Sequence, residues 1–356
     1  MAQPTENTEN TVYPWHLEKW RFIKRTEPKL PHALLFYGPS GTGIDTFAET
    51  FAKALLCENR PENGDPCNAC ESCHWFDLRT HPDYRAVMPE ALEIARGIEP
   101  SGDFAASAET ETSSAKSSRE PSRKIGIDRI RALADFINIS THRGGRRIVF
   151  IYPAEAMTSE SSNALLKMLE EPPPQTLFIL LAHHPDALLP TIMSRCFKVA
   201  FSMPDHDLAC DWLTRQGIAN AENWLAQEGG APVQALIQAQ QGEREEMTIL
   251  LNTLSMPDDA ALLAAAEKLQ KVPMGDILTW YQRWLCDMLL LRGAGHIRYY
   301  PAYRQQLEKA AARADSLQLA ETIRESGERK RVADHPLVAR LAIEDMLLDY
   351  RKIFSP

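Results

Sequence analysis

The sequence predicts an α/β domain with a parallel sheet, followed by an all-α half. Short apolar segments of strand length alternate with amphipathic helical segments up to about residue 200, and this alternation indicates a parallel sheet that helices cover on both faces. Beyond about Met203 the strand pattern disappears, and helical segments run to the end of the sequence. A chain of 356 residues exceeds one ordinary domain, so two or three modules are expected.

A helix is expected before the first strand. Residues 14–23 place aromatic and apolar groups, including Trp15, Trp20 and Ile23, on one side of a helical segment. Such a stripe is ordinarily buried against the rest of a domain. We therefore expect this helix to contribute to the core of the first domain and not to bind a ligand.

The first strand leads into a glycine-rich turn and a helix. The apolar residues 33–37 precede Gly38, Gly41 and Gly43, and apolar side chains then recur at helical spacing over residues 47–55. Glycines let backbone N–H groups approach an anion, and the N-terminus of the next helix favours negative charge. The frame of a phosphate-binding loop is therefore present.

The loop lacks the side chains that a nucleotide requires. A working G-x-x-x-x-G-K-[ST] loop has a lysine on the outer phosphates and a hydroxyl on magnesium, whereas these positions hold Ile44 and Asp45, and Thr46 follows one residue late. A carboxylate beside a triphosphate adds repulsion that no ammonium offsets here. We expect the loop to bind no ATP. Residual nucleotide binding is the alternative, and hydrolysis is expected even less than binding.

Four of the seven cysteines are clustered directly after this helix. They fall within seventeen residues, at Cys57, Cys67, Cys70 and Cys73. Four thiolates can close a tetrahedral zinc site with a structural role, and clustered thiols are typical of metal ligation in a reducing compartment. Reduced free cysteines and an iron–sulfur cluster are the alternatives; the ferredoxin pattern needs a further cysteine at the position of Asp77. His74 is not needed as a ligand.

The other elements of the first domain follow from periodicity and breakers. Residues 101–124 are rich in Ser, Thr, Glu and Ala and are predicted to be disordered. The predicted elements are a strand at 85–88, a helix at 125–139, a strand at 147–152, a helix at 163–171 that prolines terminate, and a strand at 176–182.

The helical half divides into two parts by pattern. A compact helical segment covers residues 203–243 and is interrupted at Gly229 and Gly230, and longer helices follow, notably over 276–292 and 336–354. The last of them has a wide apolar stripe, which is ordinarily core and here also suits assembly with other chains.

Charge and hydropathy exclude several classes of protein. A net charge of −9 argues against non-specific nucleic-acid binding by the whole chain, although residues 143–147 form a local basic cluster. Residues 1–11 lack the apolar core of a secretory signal, and residues 277–291 are too short and too charged to span a bilayer. We expect a soluble, cytoplasmic protein.

Several segments together resemble a known family, the delta-prime subunits of the bacterial DNA polymerase III clamp loader, which belong to the AAA+ superfamily. They occur in family order across about residues 13 to 200. They are Pro31-His32-Ala33-Leu34-Leu35-Phe36, the four-cysteine insertion, Thr80-His81-Pro82-Asp83, Ile127-Asp128-x-Ile130-Arg131, Asn163-Ala164-Leu165-Leu166-Lys167, Leu169-Glu170-Glu171-Pro172-Pro173 and Ser194-Arg195-Cys196.

The resemblance implies an architecture and a set of partners. The family's fold would place an AAA+ RecA-like domain with a zinc module (57–73) at residues 1–202, a helical lid at 203–243 and a helical collar at 244–356. The implied partners are a clamp-loader ATPase of the gamma or tau type, the delta subunit and, through the complex, the sliding clamp and primer–template DNA. The holoenzyme is a DNA-directed DNA polymerase, but this sequence shows no carboxylate pair for nucleotide addition.

Compared with active relatives, this chain departs at three matched positions. The loop lysine is Ile44, the acidic pair after the second strand of the family falls on Tyr152 and Pro153, and the lid arginine falls near Val233. What remains is Arg195, which the resemblance identifies as an arginine finger acting in trans on the ATP of a neighbouring subunit. The resemblance thus implies a non-hydrolysing structural subunit that helps to load the clamp during DNA replication.

Two other classes of function remain as alternatives. One is a self-sufficient ATPase with unusual catalytic residues, which ATP turnover by the purified chain would identify. The other is a zinc-dependent nucleic-acid-binding module, which tight binding of primer–template DNA by the isolated chain would identify.

Overall fold

The computed structural model describes residues 12–98, 121–138, 141–142, 145–331 and 339–354. These residues form two compact units, the first ending at Leu208 and the second beginning at Ala209. The polar N-terminal residues 1–11 and most of the segment predicted to be disordered, residues 101–120, lie outside the described residues.

The first unit contains a five-stranded sheet in which every pairing is parallel. Its strands are β1 (Ala33–Tyr37), β2 (Tyr84–Val87), β3 (Arg147–Ile151), β4 (Thr176–Ala182) and β5 (Phe197–Ala200), arranged in the order β2-β3-β4-β1-β5. In the register, Tyr37 pairs with Ala182 and Ile151 with Leu180. The carboxyl ends of β1, β3 and β4 therefore lie side by side, at the edge where α/β sheets bind ligands.

Helices cover both faces of this sheet. They are α1 (Leu17–Thr26), α2 (Ile44–Leu56), α3 (Glu71–Asp77), α4 (Glu90–Ala95), α5 (Ile127–Asn138), α6 (Ser159–Glu170) and α7 (Pro190–Arg195). One face packs aromatic side chains of α1 and α2, among them Trp20 and Phe47, onto β1. The other face packs aliphatic residues of α5, α6 and α7 against β3 and β4. The predicted α/β class is confirmed, including the packing of Trp20 and Ile23 as core.

Strand β5 was not among the predicted elements. Of its four residues only Val199 is buried, and Phe197 is 42% exposed because the strand lies at an edge of the sheet. A strand with one buried position has no apolar alternation from which it can be recognised. The other strands were predicted to within one residue at each end.

Two surface segments contain more structure than expected. Ser122, in the segment predicted to be disordered, accepts a hydrogen bond from the Ala91 amide and donates its own amide to Glu90. In the basic cluster, Arg147 is buried and donates to the carbonyl oxygen of Ile137 at 2.7 Å; residues 143 and 144 lie outside the described residues. Part of this cluster is therefore structural and not a solvated patch.

The regular elements of the second unit, among its described residues, are all helices. Its helices are α9 (Ala221–Gln227), α10 (Pro232–Gln241), α11 (Glu245–Ser255), α12 (Asp259–Leu269), α13 (Met274–Ala294), α14 (Arg304–Arg313), α15 (Ser316–Arg331) and α16 (Ala339–Lys352), with α8 (His206–Arg215) spanning the boundary. Trp284 of α13 is fully buried, and its Nε1–H donates to the Tyr350 hydroxyl at 2.9 Å. The apolar stripe of the last helix is thus largely core; residues 336–338 of its predicted range lie outside the described part.

The glycine pair separates α9 from α10, as expected. Gly229 has a φ of +65°, and a Cβ there would lie 3.1 Å from the Tyr299 ring. The preceding Glu228 pairs with Arg283 at 3.0 Å. These contacts join the predicted lid to the predicted collar within one unit. The boundaries at 202/203 and 243/244 stay a prediction.

Among the described residues, none of the helices has both the length and the apolarity required to cross a bilayer.

Candidate functional site

The four clustered cysteines converge between α2 and α3. Cys57 follows the last residue of α2, and Cys70 is the N-cap of α3, one turn before Cys73. All four Sγ atoms lie within 4.8 Å of one another, and Cys70 and Cys73 are buried. The structure therefore brings together every predicted ligand, and these side chains could hold one metal ion. His74 is not part of this group.

The separations fit a tetrahedral ion. Thiolates at about 2.3 Å from a zinc ion at tetrahedral corners lie about 3.8 Å apart, and the Sγ pairs Cys57–Cys70 and Cys67–Cys73 are both at 3.9 Å. A disulfide would require a separation of about 2.05 Å, so these cysteines are unpaired thiols.

Backbone amides point at the sulfur atoms. The amides of Ala69 and Cys70 approach the Cys67 Sγ at 3.5 and 3.3 Å, and the Cys73 amide donates to Cys70 Sγ at 3.4 Å. The hydrogen bond from Ala69 is the main cause that lowers the pKa of Cys67 to about 6, whereas burial raises the pKa of Cys57 and Cys73. N–H donors of this kind stabilise thiolates, the form that binds metal.

The glycine-rich turn has the shape of a phosphate loop. It connects β1 to α2, whose N-cap is Gly43 with a φ of +79°, and Gly41 also has a positive φ of +72°. These backbone conformations are rarely adopted by other residues. Ile44, at the lysine position, is 1% exposed and packs in the core, so it presents no polar group to the loop.

Aromatic side chains from the N-terminal segment lie against this turn. A Cβ at Gly43 would be 2.2 Å from the Tyr13 ring, and Tyr13 stacks on Trp15 with ring centroids 5.1 Å apart. Trp15 Nε1–H donates to the Thr42 carbonyl oxygen at 2.8 Å, and His16 Nε2 approaches the same oxygen at 2.9 Å. Burial lowers the pKa of His16 to about 4, so this imidazole is neutral at pH 7.

An ion-pair network occupies the neighbouring space. Arg96, directly after α4, contacts the Asp45 carboxylate at 2.6 Å and the Glu49 carboxylate at 2.9 Å. Its guanidinium also lies 4.9 Å from the centre of the Tyr152 ring. In the family resemblance described above, Tyr152 falls at the position of the magnesium carboxylate, and Asp45 falls at the hydroxyl position of the G-x-x-x-x-G-K-[ST] motif. A second guanidinium, that of Arg79, lies 3.9 Å from Glu49. The two guanidinium groups and the two carboxylates balance one another, which leaves no spare positive charge for a phosphate.

A histidine contacts both the glycine-rich turn and Tyr152. His183, after β4, lies with Nδ1 3.0 Å from the Gly38 carbonyl oxygen and Nε2 3.3 Å from the Tyr152 hydroxyl. Because a carbonyl oxygen only accepts, Nδ1 carries the proton and Nε2 accepts from the tyrosine. Aromatic side chains of residues 13–16 and His183 thus contact the turn itself, and Arg96 contacts the first turn of α2 beside it.

Arg195 is the last residue of α7 and lies at the surface. Its guanidinium contacts the Glu170 carboxylate at 2.6 Å and donates to the Thr191 carbonyl oxygen at 3.0 Å. The side chain remains 34% exposed. The Arg195 side chain is therefore accessible to a second protein. The adjacent Cys196 is buried, and this burial raises the pKa of the Cys196 thiol to about 11.

Sequence reasoning did not identify the residues that fill the loop. Arg96 lies 51 positions from Asp45, and no local pattern connects them. Trp15 was predicted to belong to the core with the rest of residues 14–23, but it is only partly buried and lies against the turn through its hydrogen bond to Thr42. Tyr13 was not part of that prediction. The available signal was the carboxylate of Asp45 at the start of a helix in a glycine-rich turn, since a carboxylate that becomes partly buried there requires a cationic partner.

Comparison with known proteins places these features in a family. A protein-family model described as "DNA polymerase III, delta subunit" matches residues 20–205. The delta-prime subunit of DNA polymerase III from Pseudomonas aeruginosa is 32% identical over 284 residues, which are 78% of this chain and 77% of that protein. The Escherichia coli delta-prime subunit is 28% identical over 264 residues, covering 72% and 70% of the two chains.

A solved structure from Thermotoga maritima, a DNA polymerase III gamma-subunit-related protein, is also similar. It is 19% identical, has a TM-score of 0.45 and covers 94% of this chain and 98% of that one. The family model and the sequence relatives, not this structure, decide the assignment. The family expected from the sequence motifs is confirmed: the chain belongs to the delta-prime family of DNA polymerase III subunits.

Proposed function

We propose that this protein is a structural subunit of the DNA polymerase III clamp loader that does not hydrolyse ATP. Its family membership supports a role in the polymerase complex. The observation that carries the non-hydrolysing role is that side chains of the same protein cover the phosphate loop: Tyr13 contacts Gly43, and Asp45 is paired with Arg96. ATP would have to displace a partly buried aromatic contact and an ion pair without gaining a lysine or a magnesium ligand.

Arg195 supplies the catalytic contribution in this proposal. It would stabilise charge on the ATP of a neighbouring subunit, as a guanidinium from a second chain does in trans-activated GTPases. Its present partner, Glu170, is 49% exposed, and such surface pairs contribute only about 0–1 kcal/mol. The guanidinium can therefore exchange this partner for a phosphate at small cost.

The four cysteines would bind one structural zinc ion. The Sγ atoms lie within 4.8 Å of one another, a space that fits one ion and not several irons with bridging sulfides. All four corners are protein ligands, which leaves no open position for catalysis. Cys57, Cys67, Cys70 and Cys73 would then join the end of α2 to α3.

Reconstitution tests the proposed function. The purified chain alone should neither turn over ATP nor bind primer–template DNA tightly. A complex of this chain with a gamma- or tau-type ATPase subunit and the delta subunit should hydrolyse ATP in response to clamp and DNA and should load the clamp. Turnover by the chain alone would identify an ATPase, and tight binding of DNA by the chain alone a nucleic-acid-binding module.

The substitution Ile44→Lys is expected to create no ATPase. The lysine would enter a position that is 1% exposed, and the magnesium carboxylate would still be missing because Tyr152 and Pro153 occupy that place. The measurement is ATP turnover by the isolated chain. Ile44→Met is the matched control, since a volume-conserving apolar change costs less than about 1.5 kcal/mol. Turnover by the Ile44→Lys chain would show that the acidic pair lies elsewhere.

A further inference from the structure

Ser72 and His81 form a buried hydrogen-bonded pair beside the cysteine cluster. Ser72 lies in α3 between two of the cysteines, and the exposures of Ser72 and His81 are 1% and 4%. The Ser72 hydroxyl donates to the carbonyl oxygen of Leu56 at 2.6 Å. Leu56 is the last residue of α2 and directly precedes Cys57. Ser72, which precedes Cys73 in α3, is thus bonded to the backbone residue that precedes Cys57 at the end of α2.

The hydrogen bonds define the tautomer of His81. The Asp83 amide donates to His81 Nδ1 at 3.0 Å, so Nδ1 is the unprotonated nitrogen of a neutral ring. The proton on Nε2 then points to Ser72 Oγ, 2.7 Å away. Since the Ser72 hydroxyl donates its proton to the Leu56 carbonyl oxygen, every donor in this hydrogen-bond network, from the Asp83 amide to Ser72, has an acceptor. A fully satisfied buried network of this kind holds its members in one arrangement.

The network continues into the sheet. Asp83 is 2% exposed, its carbonyl oxygen accepts from the Ile148 amide at 2.9 Å, and its Oδ1 accepts from the His142 amide at 2.9 Å. Ile148 belongs to β3, an interior strand that is paired on both sides. A series of hydrogen bonds therefore runs from the backbone beside Cys57 to an interior strand of the sheet.

We infer that Ser72 and His81 are positioning residues for the metal ligands. Ser72 directly precedes Cys73, and Leu56 directly precedes Cys57. A hydrogen bond between Ser72 and Leu56 consequently holds the end of α2 against α3 at the distance that brings these two thiols into one coordination sphere. His81 orients Ser72 and connects it to the sheet. This inference rests on the proposed zinc site.

A second connection between the same helices provides the control. Lys53 of α2 pairs with Asp77 of α3 at 2.7 Å, but Asp77 is 55% exposed, and an exposed ion pair contributes little to stability. If any link between α2 and α3 served to position the ligands, Lys53→Met would have the same effect as a change at Ser72. We expect Lys53→Met to leave the affinity for zinc unchanged.

The test measures Zn²⁺ affinity of the full-length chain by competition with a chromophoric chelator. Loss of partners that orient metal ligands typically lowers metal affinity by about 10- to 100-fold, and this range is expected for Ser72→Ala and for His81→Leu. His81→Gln retains an N–H donor of similar reach towards Ser72 and should restore most of the affinity. His74→Gln, on the exposed side of α3, should match the wild type.

A second measurement separates positioning from general packing. Thermal unfolding is recorded for the zinc-loaded and the zinc-free form of each variant. A packing role for His81 would lower the stability of both forms equally, whereas a positioning role reduces the increase in stability that zinc provides. Equal losses in both forms, or wild-type affinity in Ser72→Ala, would overturn the inference and leave the zinc site standing. A wild-type chain that binds no zinc would remove the zinc proposal and this inference together.

Discussion

Arg195→Ala is expected to abolish most of the ATP hydrolysis at the one site that this subunit serves in a reconstituted clamp loader. Arginines supplied in trans contribute about 10³-fold or more to the rate in GTPases, and Arg195 lies accessible at the end of α7. A ring with other active interfaces would retain their share of the total turnover. Folding, metal content and assembly should not change, because the polar contacts of the side chain among the described residues are the surface pair with Glu170 and the hydrogen bond to the Thr191 carbonyl oxygen. The measurement is clamp- and DNA-stimulated ATP turnover by the complex.

Glu170→Gln is the matched control for this experiment. It removes the partner of Arg195 within the chain and leaves the guanidinium free to act on another subunit. Under the trans mechanism Glu170→Gln should keep the wild-type rate. Arg195→Lys should lose most of it, because an ammonium keeps the charge without the planar fork. If Glu170→Gln and Arg195→Ala reduce turnover equally, the pair is structural; a wild-type rate in Arg195→Ala excludes the finger.

Cys70→Ser is expected to remove the metal ion and to destabilise the first unit. Cys70 is buried, and its Sγ lies 3.9 Å from that of Cys57, so a missing thiolate opens the coordination sphere. Structural zinc contributes about 10 kcal/mol or more to folding in zinc-finger peptides. This unit has its own apolar core, so we expect a partial loss of stability and not complete unfolding. Zinc content, measured by atomic absorption, should fall from one ion per chain to none. The temperature at which the first unit unfolds should also fall.

Cys210→Ser is the control for the loss of a ligand. Cys210 lies outside the cluster, and it is only partly buried. Its replacement should leave the zinc content and both unfolding transitions as in the wild type. The transition of the helical unit should also be unaffected by Cys70→Ser. Visible charge-transfer absorption from iron in the wild-type protein would contradict the zinc assignment.

The elements with a continuous apolar run or a clear helical spacing of apolar residues were predictable from the sequence. The strand Thr176–Ala182 is apolar at nearly every position and was predicted at its observed bounds, because a strand buried on both faces needs a continuous apolar run. Helix α13 was predicted to within two residues at each end. Edge strand β5 was missed, since packing against β1, and not the side chains of residues 197–200, keeps it extended.

The candidate site was predictable only where its residues are close in sequence. The four cysteines lie within seventeen residues, so their spacing alone indicated one metal site. The ion pair between Arg96 and Asp45 joins residues 51 positions apart, and the histidine that contacts Gly38 is 145 positions away from it. Such contacts depend on the order of the strands, which periodicity does not provide.

Because side chains of the same protein cover the phosphate loop, nucleotide concentration should not affect the stability of the folded state. A protein that binds a nucleotide in its folded state gains stability with ligand concentration as RT ln(1 + [L]/Kd). Tyr13 and Trp15 belong to the chain itself, so their contact with the loop has no concentration term. If the loop binds no nucleotide, as proposed, the folded state of this subunit is equally populated at high and low ratios of ATP to ADP. Mass action by nucleotide would then act on the complex only through other chains.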